Sequence, residues 1–186
     1  MSIKQNILEL GKKAKKASFE MKLCSNDQKN SALSFLIKNI SKNKDKILAA
    51  NNVDLENGKK KSLSNPLMNR LTLTDKSIEG LIVSIEDIIG IPDPIGLTLE
   101  EWERPNGLKF RKISTPLGVL GVIYESRPNV TIDASCLSIK SGNCIILRGG
   151  SDSFHSSKEL VKNIIQSFNE AGLPDHCICD PCRADG

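Results

Sequence analysis

Apolar residues recur at alternating steps of three and four through the first ninety residues, the period of an α-helix. Ile7, Leu10, Ala14, Ala17 and Met21 form one such face. Ser25-Asn26-Asp27-Gln28 has the form of a capping box and opens a second helix, whose apolar face is Ala32, Phe35, Leu36 and Ile40. A third helical stretch is expected over residues 45–55, stopping before Gly58, with a polar, lysine-rich loop over 58–66. A fourth starts near Thr74, carries Ile78, Leu81, Ile82, Ile85, Ile88 and Ile89 on one face, and ends at Gly90 and Pro92.

The period changes at Leu97. Two short, semi-alternating segments, 97–103 and 108–113, flank Asn106-Gly107, the dipeptide favoured by type I′ hairpin turns, with Pro105 beside it. GVLGVIY at 118–124 and NCIIL at 143–147 are apolar, β-branched runs of the kind buried on both faces in parallel sheets. A helix near 131–140 separates them, and a second follows with Phe154, Leu160, Val161, Ile164, Ile165 and Phe168 on its face, closed by Gly172 and Pro174. The order β-α-β-α implies an α/β fold with a parallel sheet and right-handed crossovers. The chain divides into a helical region at 1–96, a hairpin-like segment at 97–115, a β-α-β-α unit at 116–176 and a tail at 177–186.

Composition narrows the class. The 186 residues are 39% hydrophobic and 26% charged, as in globular domains. Neither a membrane-length apolar run nor a secretory signal is visible, so a cytoplasmic protein without membrane attachment is expected. Residues 1–61 hold 14 lysines against 6 carboxylates. These lysines are spread around helical faces with no interleaved aromatics, so they read as solvated faces, nucleic acid is not an expected partner, and a basic polyanion-binding module ranks last among the alternative functions. Cys177, Cys179 and Cys182 form a C-x-C-x-x-C cluster near His176. Structural zinc needs two well-spaced ligand pairs, so no metal is expected. Cys24, Cys136 and Cys144 read as small buried apolar residues.

Two segments leave the carboxyl ends of the apolar strands, where open parallel sheets gather ligands. Arg148-Gly149-Gly150-Ser151 is one. Paired glycines, a following helix start and a guanidinium make either an anion pocket or a tight turn carrying a surface arginine. The G-x-G-x-x-G spacing is absent. The other is Glu125-Ser126-Arg127-Pro128-Asn129. Its asparagine either donates to a developing oxyanion or caps the next helix.

PLGVLGVIYESRPNVTIDASCLSIKSGNCIILRGGS at 116–151 closely resembles the gamma-glutamyl phosphate reductase (glutamate-5-semialdehyde dehydrogenase) branch of the aldehyde dehydrogenase superfamily. YESRPNVT and ILRGGS carry the likeness. AANNVDLENG at 49–58, RLTLT at 70–74 and RPNGL at 104–108 support it, and it extends over residues 1–176. The resemblance implies an aldehyde dehydrogenase-like NAD(P)-binding domain, incomplete here, with the helical region packed on it. It implies NADPH-dependent reduction of gamma-glutamyl phosphate to glutamate 5-semialdehyde and phosphate, in proline biosynthesis, by a homo-oligomer. In that reaction a cysteine thiolate displaces phosphate and hydride reduces the thioester. By position Asn129 matches the superfamily's oxyanion-hole asparagine, and Arg148 and Ser151, with Gly149 and Gly150, match its nucleotide-binding segment. A serine rather than a carboxylate at 151, beside Arg148, favours NADP(H) over NAD. Glu125, Ser126 and Arg127 match the family motif as candidate substrate contacts. The family's nucleophilic cysteine lies further along than this sequence reaches, and CDPCRADG departs from the family. A truncated or frameshifted product, inactive alone but able to bind NADP(H) or a full-length partner, is therefore expected.

Overall fold

The structure, a computed structural model, describes residues 2–180. Five helices come first: α1 (Ile3–Met21), α2 (Asn26–Lys42), α3 (Lys44–Lys60), α4 (Asn65–Leu71) and α5 (Asp75–Gly90). Each of α1, α2 and α5 starts at a full capping box, Ser2 with Gln5, Ser25 with Gln28 and Thr74 with Ser77. Ala14, Ala17 and Met21 are buried as their spacing predicts, whereas Ile7, on the same expected face, is exposed.

The third helix differs from expectation. It runs through Gly58 to Lys60 and α4 begins at Asn65, so only residues 61–64 of the expected loop lie between helices, and Pro66 sits in the first turn of α4, where a missing N–H costs nothing. Gly58 does not end a helix. It lets α4 approach α3, since a Cβ there would lie 2.8 Å from Met68 Sδ and 3.1 Å from Leu63 Cδ1.

β1 (Thr98–Glu103) and β2 (Lys109–Ile113) form an antiparallel hairpin with every residue exposed. Its turn is not type I′. Gly107 N–H donates to Arg104 O, only Gly107 has positive φ (+82°), and Arg104 N–H donates to Leu108 O. Pro105 fixes the first central φ of an ordinary turn, and Gly107 supplies the left-handed residue after it.

β3 (Val119–Ile123), α6 (Pro128–Lys140), β4 (Cys144–Arg148), α7 (Phe154–Glu170) and β5 (Ile178–Cys179) complete the described chain. The strands form one parallel sheet in the order β3-β4-β5. The third strand has no signature in the sequence: Ile178 and Cys179, which fall in the expected tail, pair with Ile145 and Ile146. β4 is central and buried, as expected. β3 is not buried on both faces, since Ile123 is 84% exposed, because among the described residues β3 pairs only with β4.

α1 packs against all three strands, and α6 packs against β4, α5 and α7. α2 and α3 lie on α7, so the helical region and the sheet unit share one apolar core. Among the described residues no helix is long and apolar enough to cross a membrane.

Candidate active site at the carboxyl rim of the sheet

Parallel pairing of Ile123 with Arg148 brings the exits of β3 and β4 to the same rim. Tyr124 N–H donates to Arg148 O at 3.1 Å, continuing the ladder one step past the strands. The two exit loops then touch. A Cβ on Gly150 would lie 3.5 Å from Glu125 Cα, and one on Gly149 would lie 3.2 Å from the Tyr124 hydroxyl. The glycines are thus used for contact between the loops themselves. Side chains lock that contact. Tyr124 OH lies 2.7 Å from Thr131 Oγ1, which donates to Ser157 Oγ at 3.5 Å. Ser157 Oγ donates to Ser153 Oγ at 3.3 Å, and Ser153 Oγ to Gly150 O at 3.4 Å.

The start of α7 is not an open anion site. Asp54, buried on α3, accepts from His155 N–H at 3.1 Å and from Ser156 N–H and Oγ at 2.7 and 2.6 Å. An internal carboxylate occupies the positive end of the helix, where the sequence suggests an external anion. Asn51, three residues earlier, holds Leu71 O at 2.8 Å, Ser156 Oγ at 3.0 Å and, through Oδ1, Leu73 N–H at 2.8 Å. Segments 49–58 and 70–74 are therefore joined to the helix behind the rim. Sequence reading missed Asn51, Asp54, Tyr124, Thr131, Ser153 and Ser157. Asn51 and Asp54 left a trace as members of AANNVDLENG, and Tyr124 and Thr131 as members of YESRPNVT, segments that carry or support the resemblance.

Arg148 and Ser151 are exposed at the rim. The Arg148 guanidinium donates to Gly149 O. The one acidic side chain next to Ser151, Asp152, is paired with Lys61 at 3.2 Å. Glu125 and Arg127 are exposed, while Ser126 is buried at a left-handed φ of 43°. Arg127, not Asn129, occupies the N-cap of α6, and it makes no side-chain cap. Asn129 stands one residue inside the helix, half-buried, with its amide donating to Asp133 Oδ2 at 3.3 Å. Burial holds the Asp133 carboxyl above its ordinary range, against hydrogen bonds from Asn129 and Ser84.

No described cysteine is prepared for attack. Burial raises Cys24, Cys136, Cys144, Cys177 and Cys179, with Cys144 pushed up to about 12 and Cys179 to about 11. Cys177 and Cys179 lie in or beside β5, and Cys182 falls outside the described residues. Among the described residues no three His, Cys, Asp or Glu side chains are arranged to hold a metal.

No family model matches the chain. Curated relatives do. The chain is 43% identical over 178 residues to the gamma-glutamyl phosphate reductase of Halothermothrix orenii, covering 96% of this chain and 43% of that protein. Over nearly all of its length the chain is a homologue of the gamma-glutamyl phosphate reductases. The reductase of Allorhizobium ampelinum is 45% identical over 172 residues, 92% of this chain and 40% of that protein. The crystal structure of the Thermotoga maritima gamma-glutamyl phosphate reductase superposes with a TM-score of 0.91 at 35% identity, over 94% of this chain and 42% of that one. A probable aldehyde dehydrogenase from Listeria monocytogenes, at 18% identity and a TM-score of 0.68, shares the fold. The chain spans about two fifths of the length of the curated reductases it matches.

Proposed function

We propose that this chain forms the nucleotide-facing part of a gamma-glutamyl phosphate reductase, which reduces gamma-glutamyl phosphate to glutamate 5-semialdehyde and phosphate in proline biosynthesis. The observation that carries this is 43% identity to such a reductase across 96% of the chain. The rim supports it, because the two segments most like that family are in mutual contact there.

NADPH is the hydride donor in this reading. Arg148 and Ser151, both exposed, would hold its ribose 2′-phosphate. The fit rests on local charge: a guanidinium and a hydroxyl face outward, and the nearby Asp152 carboxylate is already engaged by Lys61. Asn129 would turn its amide from Asp133 to the acyl oxygen, where negative charge develops. Glu125 and Arg127, exposed on the same loop, are candidate substrate contacts, and Ser126 holds that loop's bend. The nucleophilic thiolate comes from outside the described residues, since every described thiol is held protonated by burial. The chain alone binds NADP(H) without turnover. Self-association belongs to the same reading: the hairpin stands exposed, with Trp102 stacked on Phe110 at 5.4 Å between ring centres.

A chimera tests the proposal. Residues 2–180 replace their counterparts in the Thermotoga maritima reductase, and the chimera is assayed with glutamate 5-semialdehyde, phosphate and NADP+. Turnover is expected, falling by about a hundredfold or more in kcat for Asn129→Ala. A folded chimera that binds NADPH but does not turn over overturns the reading.

A further inference from the structure

Asn129 stands at the edge of an open pocket between α5 and the first turns of α6. Arg70, Gly80, Leu81, Ser84 and Asp133 line it with Asn129, around a volume of about 320 Å³. That is at the lower end of the range for small-molecule sites.

Three features of this pocket are unusual together. The first is charge of both signs. Arg70 is exposed on α4, and Asp133 is half-buried on α6. Both hydrogen-bond partners of Asp133, Asn129 and Ser84, are neutral side chains. A partly buried carboxylate held only by neutral donors gains most from an incoming cation. The second is an apolar wall: Leu81 and Leu73, both buried, line the pocket beside the charged residues. The third is Gly80. It sits inside α5, where glycine weakens a helix, yet a Cβ there would meet nothing within 4 Å. Packing does not demand a glycine at this position, and what its absent side chain leaves open is the pocket.

The geometry points to this pocket as the seat of the α-amino-acid end of a gamma-glutamyl substrate, with Arg70 receiving the α-carboxylate and Asp133 the α-ammonium. The inference rests on the reductase reading and says which part of the molecule selects the substrate. Asn129 lies between the two tasks: the acyl end reacts at the rim, and the amino-acid end is read behind it. The two methylenes run along Leu81. A dicarboxylate without the amine leaves Asp133 unpaired, and an amine without the α-carboxylate leaves Arg70 unpaired, so both are rejected.

Titration of the full chain, labelled with nitrogen-15, tests this with three probes. L-glutamate carries both groups, glutarate lacks the ammonium and 4-aminobutyrate lacks the α-carboxylate. L-glutamate is expected to shift the amides of residues 70–84 and 129–133 and to bind about tenfold or more tighter than either analogue. Asp133→Asn should bring L-glutamate and glutarate level, and Arg70→Gln should bring L-glutamate and 4-aminobutyrate level. Gly80→Leu should fill the space and abolish the shifts while the thermal melt stays cooperative. Shifts elsewhere, no shifts, or parental ratios retained in both charge variants overturn the assignment. If the chimera turns over while L-glutamate leaves these amides unmoved, the pocket falls and the reductase reading stands. If the chimera fails while L-glutamate binds here with the expected selectivity, the reductase reading falls and the amino-acid pocket stands.

Discussion

At the scale of single residues, Asp54 carries more than its surroundings suggest. Its carboxylate takes two backbone N–H groups and a hydroxyl at the start of α7, a capping role supplied from another helix. Asp54→Ala leaves those donors buried and unpaired, and should cost about 2–3 kcal/mol in urea unfolding. Asp54→Asn, which keeps one acceptor oxygen, should recover part of that. Nothing in the period of α3 marks Asp54 or Asn51 as internal. They read as ordinary polar positions because their partners lie in other elements, 20 and 22 residues away at Leu71 and Leu73 and 101 to 105 away at His155 and Ser156. A local pattern reports which face of a helix is apolar, not which polar side chain will be covered. The cysteines are the contrary case, since Cys136 and Cys144 sit within apolar runs and are buried as those runs imply. Among the described thiols, Cys24 should react first with a thiol reagent in the native state, and the others only on unfolding. The folded state holds the Cys144 proton more tightly than an ordinary thiol of pKa 9.0, raising it to about 12. Its contribution to stability is therefore full below pH 9 and is lost as pH climbs toward 12. Urea midpoints measured on either side of pH 9 should fall with rising pH, less steeply in Cys144→Ala.

At the scale of elements, boundaries were legible where chemistry is local. The capping box at Ser25 and the 3.6-residue period of α5 needed no tertiary information. The end of α3 did. Gly58 looks like a stop signal, but it lies under Met68 and Leu63, and the helix continues because α4 covers it. The hairpin turn shows a related limit: Asn106-Gly107 suggested one turn type, and the φ fixed by Pro105 selected another. β5 was invisible because two residues are too few to show any period. Gly80 and Gly58, both inside helices, should respond in opposite ways. Gly80→Ala meets open space and should stabilise by about 0.5–1 kcal/mol in thermal unfolding. Gly58→Leu must displace the α4 side chains and should destabilise by about 1–3 kcal/mol.

At the scale of the molecule, the helical region and the sheet unit are joined by a buried charged cluster that the lysine-rich composition hid. Lys29, only 2% exposed, binds both oxygens of Asp93 at 2.8 and 2.7 Å and reaches Lys140 O at 3.3 Å. Lys140 in turn holds Asn30 Oδ1 at 2.7 Å and Ile89 O at 3.0 Å, and burial lowers its affinity for its proton. One lysine counted among the solvated ones thus lies at the junction of α2, α5 and α6. Lys29→Met strands Asp93 and should cost about 3 kcal/mol, whereas Lys29→Met with Asp93→Asn should cost less. A double-mutant cycle in urea reads the difference. The self-association proposed for the hairpin is tested through Trp102, the chain's one tryptophan. Its emission should move to the blue as concentration rises, and Phe110→Glu should remove that shift.

Asp93 does more than neutralise Lys29. Its carboxylate also takes the Ile95 N–H at 3.1 Å, and Ser114 Oγ closes the neck by donating to Pro94 O at 2.6 Å. The exposed ribbon is therefore a lever set on a buried fulcrum, its bearing decided before anything meets it. A partner docking there finds the arm already aimed, and little freedom is lost on contact.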